Sequence, residues 1–214
     1  MSRPTEKAWE AAMHLIKYMY DRRERGICFT SNENNVPFFM SDASNRGDPV
    51  DSKCAYGYVG MWAGGPIISS GKKLGHSSSA SAANEYMAMS HATKAAVWLR
   101  QLLTEMDLEQ YVYKPTVIFA DNKTANQWVS DDKVSAGNMW ILQCYHYVKE
   151  MYLEEMTTIK YVGTRHNLAD LFTKGVPREV INYLTPYILG TKSIKELLAT
   201  IFDEEQSKGK PESK

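Results

Sequence analysis

The chain has 214 residues, 43% of them hydrophobic, which is enough to bury one sizeable core with appendages at its ends. Its 25 basic and 25 acidic residues balance, so any electrostatic binding requires a local patch of charge. Three cysteines without metal-ligand spacing favour reduced thiols over a zinc site or a disulfide framework. No apolar run approaches the roughly 20 residues of a membrane span, so we expect no membrane partner and a cytoplasmic or nuclear protein.

The N-terminal segment is predicted to contain one amphipathic helix. The letters SRPTE, which begin at Ser2, are typical of a helix start, and the helix is expected to end near Asp21. Its apolar residues recur at spacings of three and four, which predicts one apolar stripe. These residues are Trp9, Ala12, Met13, Ile16, Met19 and Tyr20.

Three apolar segments then predict an antiparallel group of strands. The first covers residues 36–42, the second covers 55–62, and the third begins at Ile67 after a Gly-Gly-Pro turn. A long helix is expected from about Ser81, because apolar residues follow it at helical spacing for several turns.

The second half of the sequence alternates strands and helices in the overall order β-β-β-α-β-α-β-α. The predicted elements are strands at 114–121 and 158–162, helices at 122–129, 140–151 and 168–174, and a loop at 163–167. Two further helical pieces are expected within residues 177–203. The polar residues 204–214 predict a disordered tail.

Acidic residues stand at the ends or starts of four of these elements. Two predicted strands finish on Asp42 and Asp121, and as parallel neighbours they would bring both side chains to one edge of the sheet. Glu85 lies near the start of the long helix, and Asp170 lies near the start of the last core helix. Taken singly, each acid also fits a turn, a helix cap or a helix-dipole partner. If all four converge, their repulsion requires cations between them, and the hard ion Mg²⁺ suits such a site.

Four segments of the sequence form an ordered set of motifs. They read SDAS from Ser41, EYMAMSHATKAAVWLRQLL from Glu85, VIFADNKTA around Asp121 and NLADLFTKGV from Asn167. In this order they resemble the ribonuclease H domain of copia-type LTR retrotransposon Pol polyproteins. The N-terminal letters SRPTEKAWEAAMHLIKYMYD are similar to the family's tether helix between reverse transcriptase and ribonuclease H.

The resemblance implies a fold and a division of the chain. The fold is α/β and ribonuclease H-like, with a mixed five-stranded sheet in the order given above and with flanking N- and C-terminal helices. The implied parts are a tether helix in residues 1–30, the ribonuclease H-like domain in 31–176, a C-terminal helical extension in 177–203 and a disordered tail in 204–214.

The resemblance also implies an activity. Asp42, Glu85, Asp121 and Asp170 become catalytic carboxylates that bind two Mg²⁺ ions, with Asp42 bridging the ions and Mn²⁺ as a substitute metal. The enzyme is then an endoribonuclease that hydrolyses the RNA strand of RNA/DNA hybrids during reverse transcription. Its partner is the reverse transcriptase domain of the same polyprotein, and its setting is a cytoplasmic virus-like particle, with the nucleus as a second location.

Further residues are expected to surround these acids. His166, in a short loop before the last core helix, is a candidate for proton transfer or product release, and Arg165 beside it for a phosphate contact. An exposed loop residue without a role is the other interpretation of His166. Contacts to the two strands of a hybrid are expected from the backbone near Ala43, Ser44 and Asn45, and from Asn84 and Asn122.

One departure from the family pattern concerns substrate binding. After the helix that follows Asp121, the family has a basic pair where this chain has Gly137 and Asn138. This change removes two candidate contacts to substrate phosphates. It leaves open a second interpretation, a non-catalytic ribonuclease H-like scaffold that only positions a polymerase.

A third interpretation is a DDE-type integrase core. It would use Asp42, Asp121 and Glu155 as its three acids. We disfavour it because Glu155 belongs to an acidic pair before a strand, and because Glu85 and Asp170 would have no role.

Overall fold

A computed structural model describes residues 5–31, 36–44, 53–75, 80–131 and 141–208, with side chains as far as residue 204. Its centre is a five-stranded sheet of β1 (Phe38–Ser44), β2 (Ala55–Trp62), β3 (Gly65–Lys73), β4 (Thr116–Ala120) and β5 (Thr157–Tyr161). The spatial order is β3-β2-β1-β4-β5. The first three strands are antiparallel, and β4 and β5 run parallel to β1. The predicted mixed sheet is therefore confirmed.

The central strand β1 is buried along its whole length, because it has a strand on each side and helices on both faces. The sequence prediction ended this strand at Asp42, but β1 continues to Ser44 while still paired with β2. Its pairing with β4 stops earlier, at Ser41 and Ala120. Asp42 and Asp121 are thus the next residues along two parallel neighbours, which positions the site described below.

The predicted N-terminal helix is present as α1 (Glu6–Asp21). It begins after Thr5, whose side-chain oxygen accepts a hydrogen bond from the amide of Ala8 at 3.2 Å. Its apolar stripe is uncovered, since Trp9 is 67% exposed and Ile16 is 57% exposed. Every residue of α1 is exposed or half-buried, so this helix contributes no side chain to the core.

One face of the sheet is covered by α2 (Ser81–Glu105), α3 (Lys123–Ser130) and α4 (Leu142–Leu153). The first half of α2 is rich in alanine, and these small side chains let the helix lie close to the strands. Tyr86 of α2 stacks on Tyr145 of α4, with 5.9 Å between the ring centroids. The predicted long helix thus forms the largest packing element of this face.

The other face is covered by α5 (Asp170–Thr173), α6 (Arg178–Ile188) and α7 (Ile194–Lys208). Leu184 of α6 and Leu197 of α7 are fully buried in one apolar cluster with side chains of β1, β2 and β4. The two C-terminal helices are therefore part of the core. The last helix also extends over the beginning of the segment that was predicted to be a polar tail.

Some predictions concern residues outside the described ranges. Asn45, Gly137 and Asn138 are among them, so their expected roles in substrate binding stay predictions. Within the described ranges, none of the helices is long and apolar enough to cross a lipid bilayer.

Candidate metal and active site

Three acids from three elements meet beyond the paired ends of β1 and β4. Asp42 lies in β1, Asp121 follows β4 directly, and Glu85 lies in the first turns of α2. One carboxylate oxygen of each lies within 4.8 Å of the other two. This is the convergence that the sequence predicted for these three residues, and we call them the acidic triad.

Glu85 is fixed by the backbone of the central strand. Its Oε2 accepts a hydrogen bond from the amide of Ala43 at 3.0 Å. Burial, followed by the charges of Asp42 and Asp121, raises the pKa of Glu85 to about 9, and the hydrogen bond from Ala43 opposes this rise. A buried carboxyl group with two acidic neighbours is a site that favours a bound cation.

Asp121 is held from the opposite side by the loop after β5. The hydroxyl of Thr164 donates a hydrogen bond to Asp121 Oδ2 at 2.9 Å. Burial is the main cause that raises the pKa of Asp121, and Asp42 adds to it. The Thr164 hydrogen bond works in the other direction, because it stabilises the ionised form.

Asp170, the fourth acid, reaches Asp42 through a lysine. The ammonium of Lys174 lies 3.0 Å from Asp170 Oδ1 and 3.4 Å from Asp42 Oδ2. The hydroxyl of Thr173 donates to the same Asp42 oxygen. Burial, followed by the charge of Asp42, raises the pKa of Asp170 to about 6, and Lys174 opposes the rise. Burial alone would lower the pKa of Lys174, but the two acids raise it.

The short helix α5 reaches this position because two glycines of the sheet allow it to approach closely. A Cβ on Gly57 would come within 2.8 Å of side-chain carbons of both Phe172 and Thr173. A Cβ on Gly71 would lie 2.5 Å from the backbone oxygen of Phe172. The loop before α5 is tied to β1 by Asn167, whose amide donates to the carbonyl of Ser41 at 2.9 Å.

The donor set of this site fits a hard divalent cation. The triad offers only oxygen atoms, which Mg²⁺ prefers, at a mutual spacing that one ion can span. Asp42 is shared by the triad and by the pair with Lys174, so it is the residue that connects the two parts of the site.

His166 is not the exposed loop residue of its second interpretation. It is only 4% exposed, and both ring nitrogens have partners. Nδ1 lies 2.8 Å from the hydroxyl of Tyr183, and Nε2 lies 3.0 Å from Oε1 of Glu204. Its ring therefore joins the loop to α6 and α7, and a direct proton transfer to substrate would require these contacts to break. Arg165 is exposed, with its guanidinium 5.5 Å from the centroid of the Tyr183 ring.

The other candidate substrate residues have structural contacts of their own. Ala43 and Ser44 are buried in β1. Asn84 is 1% exposed, and its side-chain amide lies 3.5 Å from the sulfur of Cys54. Asn122 is the N-cap of α3 and accepts a hydrogen bond from the amide of Ala125 at 3.0 Å. It remains half-buried next to Asp121.

The geometry argues against the integrase interpretation. Glu155 lies in the turn between α4 and β5, with a φ of 55°, just before the amino end of β5. Because β5 is parallel to β4, this end is one strand length from Asp121, or about 16 Å for five residues at about 3.3 Å each. Glu85, which that interpretation left without a role, occupies the third position beside Asp42 and Asp121.

Sequence reasoning missed three residues that hold the acids. Thr164, Thr173 and Lys174 contact Asp121, Asp42 and the Asp42–Asp170 pair respectively. The signal for Lys174 was its spacing of four residues from Asp170, although its backbone is extended and it follows the last residue of α5. Nothing in the local sequence indicated the two threonines, since their partners are distant in the chain.

No family model matches the chain. It is 27% identical over 178 residues to the retrovirus-related Pol polyprotein from transposon TNT 1-94 of Nicotiana tabacum, and 26% identical over 178 residues to that from transposon RE2 of Arabidopsis thaliana. Each match covers 83% of this chain, but only 13% and 12% of the two polyproteins. The chain therefore spans a small part of the length of these relatives.

A solved structure was also found to be similar. The crystal structure of RNase H1 from the halophilic archaeon Halobacterium salinarum NRC-1 aligns with 69% of this chain and 98% of its own, with a TM-score of 0.47 and 17% sequence identity. The strand order and directions described above agree with the ribonuclease H-like fold that the motifs implied.

Proposed function

We propose that this chain, a homologue of the copia-type Pol polyproteins of plant transposons, is a ribonuclease H that hydrolyses the RNA strand of RNA/DNA hybrids. The observation that carries the proposal is the meeting of four acids, from β1, α2, the end of β4 and α5, at one edge of a mixed five-stranded sheet. The relatives support the same function, because their polyproteins are retrovirus-related.

Two divalent cations, Mg²⁺ with Mn²⁺ as a substitute, are the proposed cofactors. Asp42, Glu85 and Asp121 would hold one, and Asp42 with Asp170 would hold the second. When bound, such ions polarise phosphate oxygens and make a coordinated water more acidic. Charge crowding supports this proposal, since burial and acidic neighbours raise the pKa of Glu85 to about 9.

The residues of the chain prepare the site in three ways. The Ala43 amide and the Thr164 hydroxyl fix one oxygen each of Glu85 and Asp121, so these ligands are oriented before substrate arrives. Lys174 lowers the repulsion between Asp42 and Asp170, which keeps this pair together. Burial of Asp42, Glu85 and Asp170 keeps bulk water from screening these interactions.

Cleavage of defined duplexes tests the proposal. The chain is incubated with RNA/DNA hybrid, double-stranded RNA, single-stranded RNA and double-stranded DNA of one sequence, with Mg²⁺, with Mn²⁺ or with EDTA. We expect cleavage of the RNA strand in the hybrid alone, with a divalent metal only. Equal cleavage in EDTA, or equal cleavage of all four substrates, would contradict the proposal. A chain that binds metal and hybrid without cleaving would instead support the scaffold interpretation.

The reverse transcriptase domain of the same polyprotein is the proposed partner. The uncovered apolar stripe of α1 supports this, because Trp9, Met13 and Ile16 are exposed on a helix with no buried residue. The position of the chain as a small part of larger relatives agrees with a neighbouring domain. Supplying that domain in the same polypeptide should tighten hybrid binding, and a Trp9→Ser change should remove most of the gain.

A further inference from the structure

A partly buried polar cluster joins the loop after β5 to the two C-terminal helices. It consists of His166, Tyr183 of α6 and Glu204 of α7, and we call it the histidine latch. The carboxylate of Glu204 can only accept a hydrogen bond, so Nε2 of His166 carries the proton that it donates. In the neutral ring Nδ1 then accepts from the hydroxyl of Tyr183, which satisfies both ring nitrogens at once.

The latch acts on a turn that also contacts the acidic triad. Residues Thr164–His166 form a single 3-10 turn, closed by a hydrogen bond of 2.8 Å from the amide of His166 to the carbonyl of Gly163. At one end of the turn, Thr164 donates to Asp121. At the other end, His166 is held by the latch. One rigid turn therefore connects Asp121 to the C-terminal helices.

The partners of His166 are themselves firmly placed. On α6, Leu184 and Tyr187 follow Tyr183 within one turn and are buried. On α7, Phe202 packs on Phe119 of β4, with 6.1 Å between ring centroids. Both helices thus have an apolar contact with the core close to the residue that contacts His166. A shift of either helix would therefore move the turn.

We infer that the histidine latch makes His166, Tyr183 and Glu204 positioning residues for Asp121. In this role the C-terminal helices, through the latch and the Thr164 turn, orient one ligand of the proposed metal site. The inference rests on the proposed function in so far as it concerns a metal ligand. It assigns to His166 a role in holding the site rather than in transferring a proton.

Three variants and two controls test this inference. Glu204→Ala and Tyr183→Phe each remove one hydrogen bond to His166, and Glu204→Gln retains an oxygen that accepts from Nε2. Matched controls are Glu196→Ala, an exposed residue of the same helix, and Tyr113→Phe, a tyrosine that is 66% exposed. The first measurement is the Mg²⁺ concentration that produces half of the metal-induced rise in melting temperature. It reports metal binding without any need for cleavage.

We expect Glu204→Ala and Tyr183→Phe to raise this Mg²⁺ midpoint by at least about threefold. Groups that contact a metal ligand directly change metal affinity by about 10-fold or more, and the effect here should be smaller because His166 acts on Asp121 through Thr164. Glu204→Gln should restore most of the affinity, and the two controls should leave it unchanged. A lower melting temperature with an unchanged Mg²⁺ midpoint would overturn the inference, because the latch would then only stabilise the fold.

Hydrogen exchange without metal gives the second measurement. The amides of His166 and Asn167 bond within the turn, to Gly163 and Thr164, so their exchange should become faster in Glu204→Ala than in Glu196→Ala. Equal exchange in both variants would overturn the inference. If the unmodified protein shows no response to any divalent metal, the proposed function fails, while the exchange rates still decide whether the latch holds the turn.

Discussion

The acidic site has two parts that balance their charge differently. In the triad, Glu85 and Asp121 approach Asp42 while accepting hydrogen bonds from a backbone amide and a hydroxyl. In the second part, Asp170 approaches the same Asp42, but the ammonium of Lys174 contacts both carboxylates. The pKa of Glu85 is raised to about 9 and that of Asp170 only to about 6.

The difference between the two pKa values indicates how carboxylates can be brought together in the folded protein before a cation binds. Burial is the main cause of both pKa shifts, but Asp170 has a hydrogen-bonded lysine that stabilises its ionised form. The second part therefore resembles a paired salt bridge, whereas the triad keeps most of its repulsion. We expect substitutions in the two parts to have distinguishable effects, and substitution of Asp42, which belongs to both parts, to have the largest effect.

Asp42→Asn should have the largest effect, because Asp42 belongs to both parts. Loss of this charge should lower the rate of hybrid cleavage by several orders of magnitude, as expected for a carboxylate shared by two cation sites. Single-turnover cleavage of an RNA/DNA hybrid in Mg²⁺ measures this. Asp21→Asn, at the exposed end of α1, is the control. An undiminished rate in Asp42→Asn would contradict the assignment of the site.

The metal-free protein should lose stability as pH rises, and the triad should cause most of the loss. The pKa of Glu85 rises from an ordinary 4.5 to about 9, so the folded state holds a proton that the unfolded chain releases within this interval. The contribution of Glu85 to the unfolding free energy should thus be largest below about pH 4.5 and be lost as the pH rises to about 9, by more than the roughly 1.4 kcal/mol of one pKa unit.

Urea unfolding in EDTA between pH 5 and pH 9 measures this slope. Glu85→Gln, which stays neutral and can still accept from the Ala43 amide, should flatten it and should stabilise the metal-free protein at pH 8. Glu105→Gln, on the exposed end of the same helix, should keep the original slope. Equal slopes in all three proteins would show that Glu85 is not buried among acids.

Gly57→Ala should affect the Asp170 part of the site more than the triad, because the new Cβ disturbs the contact between the sheet and α5. The new Cβ would come within 2.8 Å of side-chain carbons of Phe172 and Thr173, so α5 must move. We expect a loss of about 1–3 kcal/mol in unfolding free energy, typical of overpacking, and weaker cleavage. Gly75→Ala, with open space around it, is the control. A fully active, equally stable Gly57→Ala protein would refute this account of the seat.

Lys174→Met should have the smallest effect on stability. It should lower the melting temperature of the metal-free protein and increase the rise that Mg²⁺ produces. Lys174 is 37% exposed, so its pairs are worth at most about 1 kcal/mol. Without metal, the melting temperature should fall, since Asp42 and Asp170 lose their cation. With Mg²⁺ the rise in melting temperature should be larger than in the unmodified protein. Lys17→Met on α1 is the control. If Lys174→Met and the unmodified protein showed the same Mg²⁺-induced rise, Lys174 would not compete with the metal.

Much of this site was predictable because its acids lie in short, local patterns. Asp121 follows a run of apolar β-forming residues, and Glu85 opens a long helical period, so each acid could be placed on its element. The end of β1 was wrong by two residues, because the antiparallel pairing with β2 extends past Asp42. That pairing depends on a neighbouring strand and leaves little trace in the local sequence.

The amphipathic patterns of the terminal helices illustrate the same limit. Both α1 and α6 show apolar stripes in the sequence, yet α6 is buried against the sheet and α1 is not. Periodicity shows that a face can be buried, but it does not show which surface covers it.

Residues close in the chain were enough to predict the order of the elements and the position of each of the four acids on its element, whereas the mixed sheet and the convergence of the acids were implied by the resemblance of the motifs. The contacts that orient these acids and balance their charge become visible only in the tertiary structure. Lys174 meets Asp42 across 132 positions of the chain, and His166 meets Glu204 across 38. Such contacts depend on how the helices pack on the two faces of the sheet, so charge balance and ligand orientation at this site are properties of the folded molecule.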